Sequence, residues 1–265
     1  MLVSVALLLA SLIHSLATAG EASRVADMTS LPAARIATFS KHLENTLALH
    51  GARVAIVARS GRHDKDLPAG VRYTHVAFAV YSVIETENGD KQPGYAMYNL
   101  YQDAEKQNQS YLVQDYPFDF FAAVPTLRSG IVIPVPELQQ RLLNTITGGT
   151  YQKLHNPVYS LMANPHNNQT QNCTEFTLNV LQASIYQTDD INFIKRTLSE
   201  HFSPYQVKIN PLKLAAGALL AEGISLLDHP GPVQTTTFST LLAYLKKFDL
   251  VQHAIELNET GASTL

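Results

Sequence analysis

Residues 72–84 and 94–102 are two runs rich in Val, Tyr and Phe, and Glu87-Asn88-Gly89-Asp90 lies between them. Aromatic and β-branched side chains suit a pleated, extended backbone, and Asn-Gly supplies the positive φ angles that a tight reversal needs. The two runs therefore predict an antiparallel hairpin. An isolated hairpin is marginal in water, so further elements must complete its core. The run Arg53-Val-Ala-Ile-Val-Ala-Arg59, bounded by Ser60-Gly61, reads as a buried strand. Residues 110–115 and 130–135 are further strand candidates, and 205–209 is a short one.

Helical spacing surrounds these strands. Ser30 is placed to cap a helix running to about residue 49, with Ile36, Phe39, Leu43 and Leu47 on one face and Gly51 just past its end. Pro136 and Glu137 open a helix through 147, whose apolar side is Leu138, Leu142 and Ile146. Helices are also expected near 190–202, 211–222 and 235–248, and the chain is expected to fray from Glu256 onward. The class is α+β: a meander of mostly antiparallel strands with helices before and after it. No linker-like stretch divides it.

The amino terminus places this domain in a compartment. Residues 2–16 are almost wholly apolar, and Ala17-Thr18-Ala19 forms a small-x-small site before Gly20. This reads as a secretory signal peptide over 1–19, with one domain over 20–265. The segment departs from the usual pattern in having no Lys or Arg at its start and in containing His14. The run is short for a membrane span. The expectation is export to the periplasm or the medium after cleavage near Ala19, with membrane contact only through an uncleaved segment. An exported chain usually pairs its cysteines, but this one has a single cysteine, Cys173. That residue is either a small buried hydrophobe or a thiol kept for chemistry.

Cys173 sits in Gln171-Asn172-Cys173-Thr174-Glu175-Phe176, where a helix is expected to begin. Asn172 can cap that helix, and Glu175 can reach back to close a capping box. Phe176, Leu178, Val180, Leu181 and Ile185 continue it. A thiol at the first helical position faces unpaired backbone N–H groups and the positive end of the helix dipole, which favour the thiolate. The slightly negative net charge of −3, without a basic run, argues against nucleic acid as a partner. Dinucleotide, phosphate-loop and zinc-protease motifs do not occur, and no pair among His75, His155, His166 and Cys173 has ligand-like spacing, so no cofactor or metal is expected.

Tyr73-Thr74-His75-Val76-Ala77-Phe78 adds a histidine at the opening of a strand. Beside Asn-Cys-Thr-Glu-Phe, it resembles the circularly permuted branch of the papain-like, NlpC-type cysteine peptidase superfamily, in which the histidine strand precedes a late cysteine helix. Lecithin–retinol acyltransferase-like proteins are similar, with a late Asn-Cys-Glu-His-type motif. More closely, the chain resembles a bacterial family of exported proteins of unknown function, domain-of-unknown-function family 2145. That likeness rests on residues 53–59, 72–78, 98–101 and 159–180, the last including Ser-Leu-Met-Ala-Asn-Pro and Gln-Asn-Cys-Thr-Glu-Phe-Thr-Leu.

The resemblance implies a papain-like fold with Cys173 as nucleophile and His75 as its base. A polar residue on the neighbouring strand would orient the imidazole. Asn99 is the best candidate by alternation, with Gln102 and Asp103 behind it; related sequences tend to carry histidine at the Asn99 position. The Cys173 N–H, with Gln171 or Asn172, would form an oxyanion site, although the cap is the preferred role for Asn172. Glu175 reads more simply as a cap and dipole partner than as a catalytic group. Two functions follow. The first is an exported cysteine hydrolase or acyltransferase that attacks an amide or ester carbonyl in a cell-wall peptide or another acyl substrate. The second is a non-catalytic periplasmic binding or envelope-assembly protein that retains the fold.

Overall fold

A computed structural model describes residues 31–85, 88–122, 124–208 and 223–265. The candidate signal peptide and the helix expected over 211–222 lie outside the described residues, as does Ser30. Among the described residues, the first element is helix α1 (Ala33–Leu49), followed by β1 (Val54–Arg59). The expected hairpin is β2 (His75–Glu85) and β3 (Lys91–Gln102), paired antiparallel from Phe78↔Tyr98 to Glu85↔Lys91. Then come β4 (Ser110–Asp115), the short helix α2 (Pro117–Phe121), β5 (Arg128–Pro134), α3 (Pro136–Thr147) and α4 (Thr150–Lys153). The cysteine helix is α5 (Cys173–Tyr186), and α6 (Ile191–His201) follows it. The chain ends with the two-residue strands β6 (Tyr205–Gln206) and β7 (Gln234–Thr235), helix α7 (Phe238–Lys247), and strands β8 (Val251–Asn258) and β9 (Gly261–Thr264).

Seven strands form one antiparallel sheet in the order β4-β3-β2-β1-β5-β8-β9. Its two faces are both covered, and strand alternation sorts the side chains between them. Val54, Ile56, Ala58, Val76, Phe78 and Val80 point into one core, shared with α3, α5 and α7. Ala55, Val57, Ala77, Ala79, Tyr95 and Met97 point into the other, covered by α1 and α2. The alanines on this second face let α1 approach closely through Ile36, Phe39, Leu43 and Leu47. Burial on both sides is why β1 reads as a continuous apolar run rather than an alternating one.

The carboxyl end departs from the sequence expectation. Residues from Glu256 onward do not fray; they complete β8 and β9, and β8 pairs along β5. Ile255 and Leu257 are buried in the second core, and the Glu256 carboxylate accepts from Tyr73 Oη at 2.7 Å. The period-two spacing of those apolar residues carried the signal.

One buried amide ties the middle of the sheet to α3. Gln139 Oε1 accepts from the backbone N–H of Arg53 at 2.8 Å and of Val54 at 3.3 Å, while its Nε2 donates to Pro134 O at 2.7 Å. Leucine would fill similar space but leave three main-chain groups without this partner. Gln139→Leu should therefore lower the unfolding free energy by at least about 3 kcal/mol, since three main-chain groups lose a partner and each orphaned buried group costs about 1–3 kcal/mol. Urea denaturation checks this, with the far-UV spectrum unchanged.

Candidate active site

Helix α5 starts as its sequence suggests. Asn172, in extended conformation, accepts the N–H of Glu175 on Oδ1 at 2.9 Å. Its Nδ2 donates to Leu161 O at 3.0 Å and to Thr235 Oγ1 at 3.2 Å, so the cap also pins two loops. The expected capping box does not close. Glu175 turns away from the cap, and its fully buried carboxylate makes an ion pair with Lys195 of α6. Burial raises its pKa to about 7 despite the pull of Lys195. Gln171 is likewise committed elsewhere. Its Oε1 accepts from the Asn156 N–H at 2.9 Å and its Nε2 donates to Leu154 O at 3.1 Å, which makes it a brace for the preceding loop and not an oxyanion donor.

Cys173 is 3% exposed and forms no disulfide. Its Sγ lies 3.9 Å from the carbonyl oxygen of Thr74 and 3.7 Å from Thr174 Oγ1. It lines a cavity of about 510 Å³ together with Tyr73, Tyr159, Leu161 and Met162. Arg62, Lys65, Asp66 and Lys208 also line this cavity, as do Thr235, Thr236 and Thr237. Periodicity did not mark these residues because they come from loops or from a two-residue strand; the Ser-Leu-Met-Ala-Asn-Pro stretch was a visible sign.

The buried turn at Asp228 holds the cavity loops. Asp228 Oδ2 accepts from Asn164 N at 2.9 Å and Thr170 Oγ1 at 2.8 Å, and its backbone oxygen accepts from the side chains of Asn164 and Asn167. These bonds satisfy the polar groups of an irregular segment that no ladder could serve.

His75 does not join this site. It opens β2 on the same face as Ala77 and Ala79, whereas Cys173 packs with Val76 and Phe78 on the other. The ring is 0% exposed and stacks on Tyr101 at 4.8 Å, with Phe120 of α2 at 5.6 Å. His75 Nε2 and Asn99 Oδ1 are 3.0 Å apart. Asn99 Nδ2 donates to Met97 O and to Asp115 Oδ1, so its oxygen faces the ring and the imidazole carries its proton on Nε2. Among the described residues, Nδ1 has no hydrogen-bond partner. The expected thiol–imidazole pair is therefore absent: one residue of alternation puts its members on opposite sides of the sheet. Asn99 does meet His75, but within a structural cluster. Gln102 and Asp103 bond within the adjoining turn.

That cluster also contains Asp115, which accepts from Tyr101 Oη at 2.9 Å, and Arg59, whose guanidinium lies 5.3 Å from the Phe120 ring centre. Burial, reinforced by the Arg59 charge, pushes His75 well below its ordinary value and outweighs the Asn99 bond. Burial raises Asp115 to about 7, even though Tyr101 donates to it. The two groups tilt stability in opposite directions. Neutral His75 contributes above its ordinary pKa of 6.5, and the contribution is lost as the pH falls below that. Asp115 contributes most below its ordinary 3.8, and the contribution is lost as the pH rises through about 7. Between pH 8 and pH 5, Asp115→Asn should therefore lose more stability than the wild type, because only the wild type gains from protonating this carboxyl. Urea midpoints at the two pH values test the sign.

A family model described as "Uncharacterized protein conserved in bacteria (DUF2145)" matches residues 46–245. Neither a curated protein nor a solved structure matches the chain. The family match takes in the hairpin, the cysteine helix and the loops that line the cavity. The chain therefore belongs to this family of conserved bacterial proteins.

Proposed function

We propose that this protein is an exported, non-catalytic binding module of the bacterial envelope that takes a small organic ligand into the cavity beside Cys173. One observation carries the reading: the thiol lines a cavity of about 510 Å³, within the range of about 300–1,000 Å³ common for small-ligand sites, while the imidazole expected to activate it is sealed on the other face of the sheet. A papain-like fold remains the finer reading of the architecture. It is supported by a cysteine at the start of a buried helix packed on an antiparallel sheet. The hydrolase chemistry which that likeness implies requires a base within hydrogen-bond reach of the thiol. Among the described residues, the cavity lining contains no histidine and one carboxylate, Asp66.

The thiol separates this reading from the enzymatic one. Iodoacetamide should alkylate Cys173 in the native protein without denaturant. The pH–rate profile should be the same in the wild type and in His75→Gln, whose fold is verified by circular dichroism. His75→Gln should itself cost about 2–3 kcal/mol of stability, because it leaves part of a buried polar cluster unsatisfied. Loss of thiol reactivity in the folded variant, or in Asn99→Leu should His75→Gln not fold, would instead establish a Cys–His pair and overturn the proposal.

A further inference from the structure

The cavity has two chemically different ends. At its buried end stand Cys173, Tyr73 and Tyr159, each at most 5% exposed, next to Leu161 and Met162. Three of the polar groups there are already engaged: Tyr73 Oη donates to Glu256, Asn172 caps α5, and Thr74 Oγ1 accepts from the Gly61 N–H, whereas Thr236 Oγ1 in the same lining has no hydrogen-bond partner among the described residues. A ligand entering this end gains by shedding water from carbon and finds few new hydrogen bonds.

The charges lie toward solvent. Lys65, Asp66 and Lys208 are exposed and Arg62 is half-buried, giving three cations against one carboxylate. The two lysines sit on adjoining segments, because Tyr205 of β6 donates to Ala69 O at 3.0 Å and closes the 61–71 loop onto that strand. Among the described residues, neither Lys65 nor Lys208 has an ion-pair partner, whereas Asp64, next to Lys65 in the chain, is paired with Arg128 at 2.6 Å. A cationic mouth over an apolar body complements one kind of small molecule.

We infer that the cavity takes a single-chain amphiphile with an anionic head: an alkyl chain lying toward Cys173 and a carboxylate or similar group held at Lys65 and Lys208. The inference rests on the binding reading above and specifies the chemical class of its ligand. A neutral or cationic head forgoes the lysines, and a doubly charged or bulky polar body cannot shed its water at the buried end. No covalent step is involved.

The test uses the protein from residue 20 onward and monomeric alkyl probes, read by isothermal titration calorimetry and by protection of Cys173 from iodoacetamide. Decanoate should bind about tenfold more tightly than decanol, the fold-change expected from two exposed ion pairs at ~0.7 kcal/mol each. Extending the chain to dodecanoate should tighten binding by up to about fourfold per methylene. The double variant Lys65→Gln/Lys208→Gln should erase the preference for the acid and leave decanol binding unchanged. Equal affinity for acid and alcohol in the wild type, with Cys173 protected, would overturn the head-group assignment and leave the cavity reading standing. Absence of binding and of protection with every probe would overturn both.

Discussion

Two-residue alternation along β2 is the constraint on which this molecule turns. Both faces of the sheet are buried, so each side chain from His75 to Val80 is committed to one core or the other. Val76, Phe78 and Val80 form the floor on which α5 lies, and Ala77 and Ala79 form the shallow bed for α1. A slip of one residue would bring the imidazole to the thiol's side. It would also exchange the large and small side chains beneath two helices, and dense interiors tolerate such an exchange poorly. Packing thus decides the fate of His75 more firmly than any attraction between imidazole and thiol could, since a single hydrogen bond contributes about 1 kcal/mol net.

The polar groups left inside follow from the same commitment. His75, Asn99, Tyr101 and Asp115 form a chain of contacts where β2 and β3 part, beyond their last paired residues at Phe78↔Tyr98. Past that point β3 keeps only its pairing with β4 on the other edge, and the side chains close the gap that the β2–β3 ladder leaves. On the opposite face, Glu175 and Lys195 join α5 to α6. Such a pair repays its loss of hydration only with good geometry and further partners, and Lys195 has one in Pro165 O at 3.2 Å. The ion pair therefore sets how α6 and the 162–170 loop sit against the start of α5 more than it adds to stability.

Legibility followed how local the determining signal was. The hairpin, the central strand and the starts of α3 and α5 were readable because turn residues, periodicity and capping lie within a few positions of one another. The contact between Asn99 and His75 was readable from alternation on paired strands. The side of the sheet each core residue faces was not, because it depends on which helix covers which face, and α1 and α5 are more than a hundred residues apart. Glu175 shows a different limit. Its spacing from Asn172 fits a capping box, but a lysine twenty residues on competes for the same carboxylate. The terminal hairpin of β8 and β9 carries only a short signal, the alternation of Ile255 and Leu257, at a chain end where fraying is the ordinary expectation.

The division of labour around Cys173 bears on what the site can do. Its rigid part is a single helix end, fixed by Asn172 and buried from Cys173 to Ser184. The remainder is mostly loop: residues 155–172 are held by side-chain bonds to Asn172, Gln171 and Asp228, residues 233–237 by Asn172, and residues 61–71 by Thr74 and Tyr205. Nucleophilic catalysis needs its reacting groups held to within a fraction of an ångström, and rigid elements do that best. Here the thiol and its neighbour Thr174 have such support, while most of the other lining side chains belong to segments held by a few side-chain bonds. Loops of this kind adapt their lining to the shape of what they enclose at small cost. An alkyl chain, which presents no fixed hydrogen-bonding geometry, is well matched to a cavity built in that way.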